Sequence, residues 1–332
     1  NKILDYWYFI NFIFINNIQI AMIIQHGKEL LKLINSKILI DEPLKKHTTF
    51  GVGGNSSMFI FPENKKDLKI VLKYAFKNNI EIVFIGSGSN LLISDNGFKG
   101  IIISLKKTFK NFNINDQLEA KIETGVMLGN IVKILTQKSV KGIESLMGVP
   151  GTLGGAIMMN AGAYGSEISN FLTEINVIDY KGNEKIYKKD DINFSYRFSS
   201  IRNTEIITQA KFKFLKGNID NIANRKKDIS NKRKENQPLT YRSAGSVFKN
   251  PNKEIAAGYL IDQAKLKGKR IGDAEISTKH ANFIINHGNA SSNDIISLIK
   301  IIKNKVKEKF NIELNLEIKL IGFFKHELIG VA

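Results

Sequence analysis

Seven of the chain's 26 glycines fall between Gly142 and Gly165, and a second cluster, Gly86-Ser87-Gly88-Ser89-Asn90, follows directly on the apolar run Ile80–Ile85. Glycine weakens helices and strands, so clusters of it mark places where the backbone turns sharply or comes close to something else. At Gly86–Asn90, adjacent main-chain N–H groups with serine hydroxyls beside them make a candidate phosphate cradle. A tight turn with no ligand would have the same composition. The segment is not the dinucleotide fingerprint of three spaced glycines, because Leu91 stands where the third would be, and no glycine loop ends in Gly-Lys-Ser/Thr. In the other cluster Pro150-Gly151 sets a turn and Gly154-Gly155 opens a helix. The small apolar residues from Ala156 onward can line a ring system or pack on another helix. Two such loops separated by strands suit a dinucleotide cofactor better than either does alone.

The pattern around the loops is mixed α and β. Ser57–Phe61 reads as a strand ended by Pro62, and Leu68, Val71, Leu72, Ala75 and Phe76 share one helical face. Strands are expected at Ile80–Ile85, Gly100–Leu105, Leu118–Thr124 and Glu205–Phe214. A helix is expected at Leu128–Gln137 and a hairpin at Glu174–Tyr187. A first unit therefore ends near residue 216, and a second follows it. The polar, helical segment Asn218–Asn236 connects them. The second unit is expected to hold a helix at Ile255–Leu266, a strand at Phe283–Asn286, a long helix carrying Ile295, Leu298, Ile299, Ile302 and Val306 on one face, and a last strand at Leu314–Ile321.

Composition excludes several chemistries. The 332 residues contain no cysteine, so thiol nucleophiles, iron–sulfur clusters and cysteine-ligated zinc are ruled out and any redox chemistry must come from a cofactor. The net charge of +18 rests on 43 lysines and only six arginines, scattered along the chain. Nucleic-acid readers concentrate arginine on one face, so the charge reads as compositional bias or as a general field for anionic ligands. The histidines lack metal-ligand spacing and no metal is expected. Residues 1–22 begin without methionine and are rich in aromatic and isoleucine residues, but Asn11, Asn16, Asn17 and Gln19 interrupt them. They read as an appendage, a translated stretch ahead of a start at Met22, in preference to a weak membrane anchor.

Three separate regions could each supply part of a carbonyl or enolate site: Tyr196-Arg197, the segment from Ser243 through Ser246 to Asn250-Pro251, and Glu317. Arginine pairs bidentately with carboxylates, serine can pass a proton, and a carboxyl group can orient or stabilise. Spacing alone is nearly uninformative here, and by default Arg197 reads as a surface ion pair, Ser246 as a helix or turn cap and Glu317 as an exposed strand residue.

Taken in order, these segments resemble the UDP-N-acetylenolpyruvoylglucosamine reductase family. The matching stretches are His47–Gly54, Ile85–Leu92, Gly148–Gly165, Tyr196-Arg197, Gln237–Pro251, Ala257–Gln263, Lys279–Asn286 and Leu316–Gly322. The resemblance implies an α+β chain: a two-subdomain FAD-binding fold of the vanillyl-alcohol-oxidase (PCMH) type, followed by a C-terminal α+β substrate domain. It implies NADPH as the reductant of the flavin and UDP-N-acetylglucosamine enolpyruvate as the substrate, reduced to UDP-N-acetylmuramate in a monomeric cytoplasmic enzyme of peptidoglycan precursor synthesis. By motif, Arg197 and Glu317 would stabilise an enolate and Ser246 would donate the proton. Gly53, Gly86, Ser87, Gly88, Ser89, Asn90, Leu91, Pro150, Gly151, Gly154, Gly155 and Ala156 would contact FAD. Tyr196 and Asn250 would contact the sugar nucleotide, and Lys234, or its neighbour Arg233, its phosphates. The short span from Tyr196 to Ser246 places the chain in the shorter-loop branch. It departs from the family pattern at Arg242 and Leu316, where proline is usual, and in its N-terminal appendage. An FAD-dependent oxidase on the same scaffold and a basic nucleic-acid-binding protein stand as the alternatives.

Overall fold

The computed structural model describes residues 22–331, so the appendage read over residues 1–22 lies, except for Met22, outside the described residues. Residues 22–33 are helical. Among the described residues no helix is long and apolar enough to cross a membrane.

The first sheet has four strands in the order Lys37–Pro43, Asn55–Phe61, Phe98–Ile103, Ile82–Phe84. The first pair is antiparallel; the central strand Phe98–Ile103 is parallel to both neighbours. Alternate residues of these strands enter two different cores. Met58, Ile60, Ile101 and Ile103 pack with Leu68, Val71, Leu72 and Ala75 of the helix Lys65–Lys77, while Phe59, Phe61 and Ile102 pack on the other face with Leu44, Ile93 and Phe98. A strand buried on both faces reads as a continuous apolar run, which is why Phe59-Ile60-Phe61 shows no alternation. The helix starts where the Asn64 side chain accepts the Asp67 N–H at 2.9 Å. Phe76, expected on its apolar face, is instead 54% exposed, with the Lys181 ammonium 5.5 Å from its ring centroid. It lies at the margin of the buried stripe, beside Leu72 and Ala75.

The second sheet is antiparallel throughout, with its strands in the order Glu184–Lys188, Leu172–Asp179, Glu205–Lys213, Glu119–Glu123, Phe112–Ile114. One face is apolar: Ala120, Ile122, Ala210 and Phe212 meet Leu128, Ile131, Val132 and Leu135 of the helix Leu128–Gln137. The intervening Lys121, Lys211 and Lys213 point away from that core, the period-two alternation of a half-wet sheet.

The C-terminal part follows the 18-residue helix Ile219–Asn236, whose first turn is capped by Asn218. A three-stranded antiparallel sheet, Arg270–Ile271, Ala274–Ile276 and Ile284–Asn286, packs against the helix Ser292–Phe310 and the shorter helix Ala257–Gln263. The long helix opens with a reciprocal cap between Ser291 and Asp294 and ends at Asn311 in the left-handed conformation. Phe50, Val52 and Leu92 from the first part of the chain complete this core.

Two strand readings change. The expected strand Leu314–Ile321 is regular only over Lys319–Ile321, because Leu316 instead bridges to Phe248 and Glu317 donates its N–H to the Val247 carbonyl. The residues after the Gly86–Asn90 loop form a strand of their own, Leu91–Ile93, which pairs in parallel with Lys319–Ile321. The end of the chain is therefore bonded directly to the strand leaving the first glycine loop.

Candidate active site

The two glycine loops, about 60 residues apart in sequence, meet. The Ser89 hydroxyl donates to the Pro150 carbonyl at 3.2 Å, and a β-carbon on Gly86 would overlap the Thr152 hydroxyl. Gly88 has φ of +71°, and a β-carbon there would collide with the His47 carbonyl oxygen, so glycine is required both by backbone conformation and by the approach of another chain segment. Among the described residues, none of the main-chain N–H groups of Gly86, Ser87, Gly88, Ser89 and Asn90 finds a protein acceptor. Five consecutive free donors form a cradle that suits an anion such as pyrophosphate. Across from them Gly151 has φ of +139°, and Gly154 and Gly155 lie in the first turn of the helix Leu153–Met158, whose Ala156 is buried. Gly155 is exposed, and no packing partner crowds it. Gly53 packs on Ile93, two residues beyond Leu91, and so braces the strand that leaves the cradle. These residues fit FAD: unpaired N–H groups for its pyrophosphate and small, apolar surface for its ring system.

Beside the loops lies a cavity of ≈380 Å³ lined by Tyr196, Arg197, Ser246, Asn250 and Glu317. Three regions up to 120 residues apart thus converge. Arg197 Nε donates to Glu317 Oε1 at 2.8 Å, with the two side chains only 21% and 15% exposed. Burial pushes the Glu317 carboxyl above its ordinary value, and the Arg197 guanidinium and Lys249 only partly oppose this. Arg197 holds φ of +54°, an uncommon conformation for a side chain of this size. It sits in the tight connection between the short strands Phe194–Ser195 and Phe198–Ser199. That hairpin is tied to the glycine-rich segment: Asn160, fully buried, donates to the Ser195 carbonyl at 3.1 Å, and the Ser199 hydroxyl donates to Met158 O at 2.9 Å. Backbone strain at Arg197 is sustained by these anchors.

Ser246 is placed by Asn282. The Asn282 amide accepts from Phe248 N at 2.9 Å and donates to Phe248 O at 2.8 Å, and its own carbonyl accepts from Val247 N at 2.8 Å. Asn250 caps the start of the helix Ala257–Gln263 by accepting from Ala257 N at 3.1 Å, and its N–H reaches the Tyr196 hydroxyl at 3.4 Å.

Lys234 does not join this group. Its side chain is exposed, and it is the Lys234 carbonyl that accepts from Lys279 Nζ at 2.5 Å. Neighbouring Arg233 lies against Gly148 in the second glycine segment. The reason is helical periodicity: both residues fall in the last turn of Ile219–Asn236, which directs them to other faces. Lys267, Lys279 and His280 line the cavity instead. His280 Nδ1 accepts from Asn282 N at 3.2 Å, and burial holds its imidazole below its ordinary value. Sequence reasoning gave these three no role, although Lys279–Asn286 was one of the matching stretches. The unusual Arg242 lays its guanidinium against Gly51. Leu316, the other departure, makes the bridge to Phe248 that precedes Glu317.

Known proteins resemble this chain over most of its length. Residues 237–321 match the C-terminal domain of UDP-N-acetylenolpyruvoylglucosamine reductase, and residues 56–186 match an FAD binding domain. The reductase of Clostridium botulinum (strain 657) is 42% identical over 290 residues, covering 87% of this chain and 94% of that protein. The reductase of Clostridium kluyveri is 42% identical over 286 residues, covering 86% and 93%. The crystal structure of the reductase from Thermus caldophilus superposes with a TM-score of 0.74 at 30% identity, covering 87% of this chain and 100% of that one. With relatives this similar matched over nearly their whole length, the chain belongs to the UDP-N-acetylenolpyruvoylglucosamine reductase family and is an FAD-dependent oxidoreductase.

Proposed function

We propose that this chain reduces UDP-N-acetylglucosamine enolpyruvate to UDP-N-acetylmuramate, with Arg197, Glu317 and Ser246 as its catalytic residues. The two glycine loops would hold FAD, which when bound would supply the hydride-transfer chemistry between NADPH and the methylene carbon of the enolpyruvyl group. The observation that carries the reading is the convergence of the Arg197–Glu317 pair, at 2.8 Å, and Ser246 in one cavity beside those loops. Hydride addition leaves an enolate whose charge spreads onto the substrate carboxylate. Arg197, with only its Nε engaged by Glu317, offers its two terminal nitrogens to that carboxylate, and grips it more tightly as charge develops. Glu317, kept protonated to higher pH by burial, donates to an enolate oxygen. Ser246 passes its hydroxyl proton to the neighbouring carbon.

Tyr196 and Asn250 contact the sugar nucleotide. For its phosphates, Lys267 and Lys279 are better placed than Lys234, because both line the cavity. We divide the chain into an FAD-binding domain over 41–216, with subdomains of about 41–104 and 105–216, and a substrate domain over 217–325. The enzyme belongs to the shorter-loop branch and acts as a cytoplasmic monomer in peptidoglycan precursor synthesis, and so in cell shape and division. The test is an absorbance spectrum of the purified protein. Flavin bands should bleach with anaerobic NADPH and recover on adding UDP-N-acetylglucosamine enolpyruvate. A protein that cannot be loaded with FAD, or whose reduced flavin ignores the sugar nucleotide, would overturn the reading.

A further inference from the structure

Asn90 closes the first glycine loop, yet its side chain does not point back into that loop. Its Nδ2 donates to the Glu317 main-chain carbonyl at 3.0 Å, and its own carbonyl accepts from Lys319 N at 2.9 Å. Glu317 is held from the other side by its N–H, which donates to the Val247 carbonyl at 2.8 Å, one residue beyond Ser246. The parallel pairing of Leu91–Ile93 with Lys319–Ile321 continues the same line of bonds. The junction is secured further along, where Asp95 accepts from the Ser292 N–H at 2.7 Å and hydroxyl at 2.9 Å. One short segment, Glu317–Lys319, is thus clamped between the residue that ends the cofactor loop and the segment that carries Ser246.

We infer that Asn90 is a positioning residue: its side-chain amide sets the Glu317 carboxyl relative to the Gly86–Asn90 loop, and so to whatever that loop holds. The inference deepens the proposed function and rests on it. Its physical basis is that Asn90 serves both sides at once. Its main-chain N–H belongs to the cradle of free donors, while its side chain and carbonyl belong to the Glu317 segment, so a shift on one side is transmitted to the other through a single residue. Catalytic groups are sensitive to this, since displacement of about 1 Å can cost on the order of 10²-fold in rate.

The test compares Asn90→Ala with Asn90→His in the FAD-loaded protein. Alanine keeps the main-chain N–H and removes the donor; histidine restores a donor, Nδ1–H, at similar reach. In the alanine variant, reoxidation by UDP-N-acetylglucosamine enolpyruvate should slow by roughly 10-fold or more relative to flavin reduction by NADPH, and histidine should recover most of that ratio. Equal slowing of both half-reactions, or an unchanged ratio, would overturn the inference. Amide hydrogen exchange over residues 315–321 provides a second measurement that needs no turnover: it should quicken in Asn90→Ala and slow again in Asn90→His. Unchanged exchange would likewise overturn the inference. If the unaltered protein fails to reoxidise with the sugar nucleotide, the reductase reading fails instead, and the exchange data still decide whether Asn90 holds the Glu317 segment.

Discussion

On the cofactor side of the proposed site the groups we assign are main-chain N–H donors, held by Gly88 and by the contact of Ser89 with Pro150. On the cavity side they are side chains, Arg197, Ser246 and Glu317, drawn from three distant segments. The first kind of site is insensitive to most side-chain changes but intolerant of any β-carbon that displaces the backbone. The second keeps its shape under side-chain truncation but loses its chemistry. The same substitution type, glycine or polar residue to alanine, should therefore damage binding on one side and rate on the other.

The largest effect should come from Ser246→Ala. Loss of the proton donor is expected to slow flavin reoxidation by roughly 10²–10⁴ while NADPH-driven bleaching persists. Rapid-mixing spectroscopy of the two half-reactions checks this, and equal slowing of both would break the distinction between the two sides. Gly88→Ala is the counterpart on the cofactor side. A left-handed conformation costs a non-glycine residue about 1–2 kcal/mol before the collision with His47 is counted. The expected result is a protein of lowered Tm that purifies with little flavin, whereas one purifying fully loaded would show that the loop is not a tight cradle.

Glu317→Gln sharpens the cavity side through pH. Because burial raises the Glu317 pKa, its protonated form persists to higher pH than for a free carboxyl, and donation to the enolate is lost as pH rises through that raised value. The kcat/KM profile for the sugar nucleotide should therefore fall on its alkaline side in the unaltered enzyme. It should lose that limb in the glutamine variant, in which the donor no longer titrates. The smallest effect is expected from Asp95→Ala, which removes the acceptor for Ser292 at the start of the long helix. It should cost about 1 kcal/mol in chemical denaturation and leave both half-reactions similarly rated.

Local features were legible wherever a pattern repeats within one element. The helix Leu128–Gln137 was read to the residue, and the long C-terminal helix was recognised from Ile295, Leu298, Ile299, Ile302 and Val306, all of which are buried. The strand Leu91–Ile93 was missed because three residues after a glycine loop carry no periodicity. Lys37–Pro43 was passed over as well, although it forms seven residues of the first sheet's edge. Arg197, Ser246 and Glu317 could be nominated only through resemblance, since nothing in their spacing distinguishes them from surface residues. Lys234 is exposed and does not line the cavity, because adjacent residues on a helix face different ways, which motif position does not convey.

By itself, then, the sequence determined the long helices, most of the longer strands and the two glycine loops, that redox chemistry needed a borrowed cofactor, and which residue types were available for it. Those properties are set by local periodicity, backbone freedom and composition. Only the tertiary structure decided that Ser89 would meet Pro150, that Arg197 would face Glu317 at 2.8 Å, and that Asn90 would hold the Glu317 carbonyl. Each of those contacts joins residues 61 to 227 positions apart. They exist because buried strands and helices bring the segments together, and no short-range pattern in the chain encodes where such partners meet.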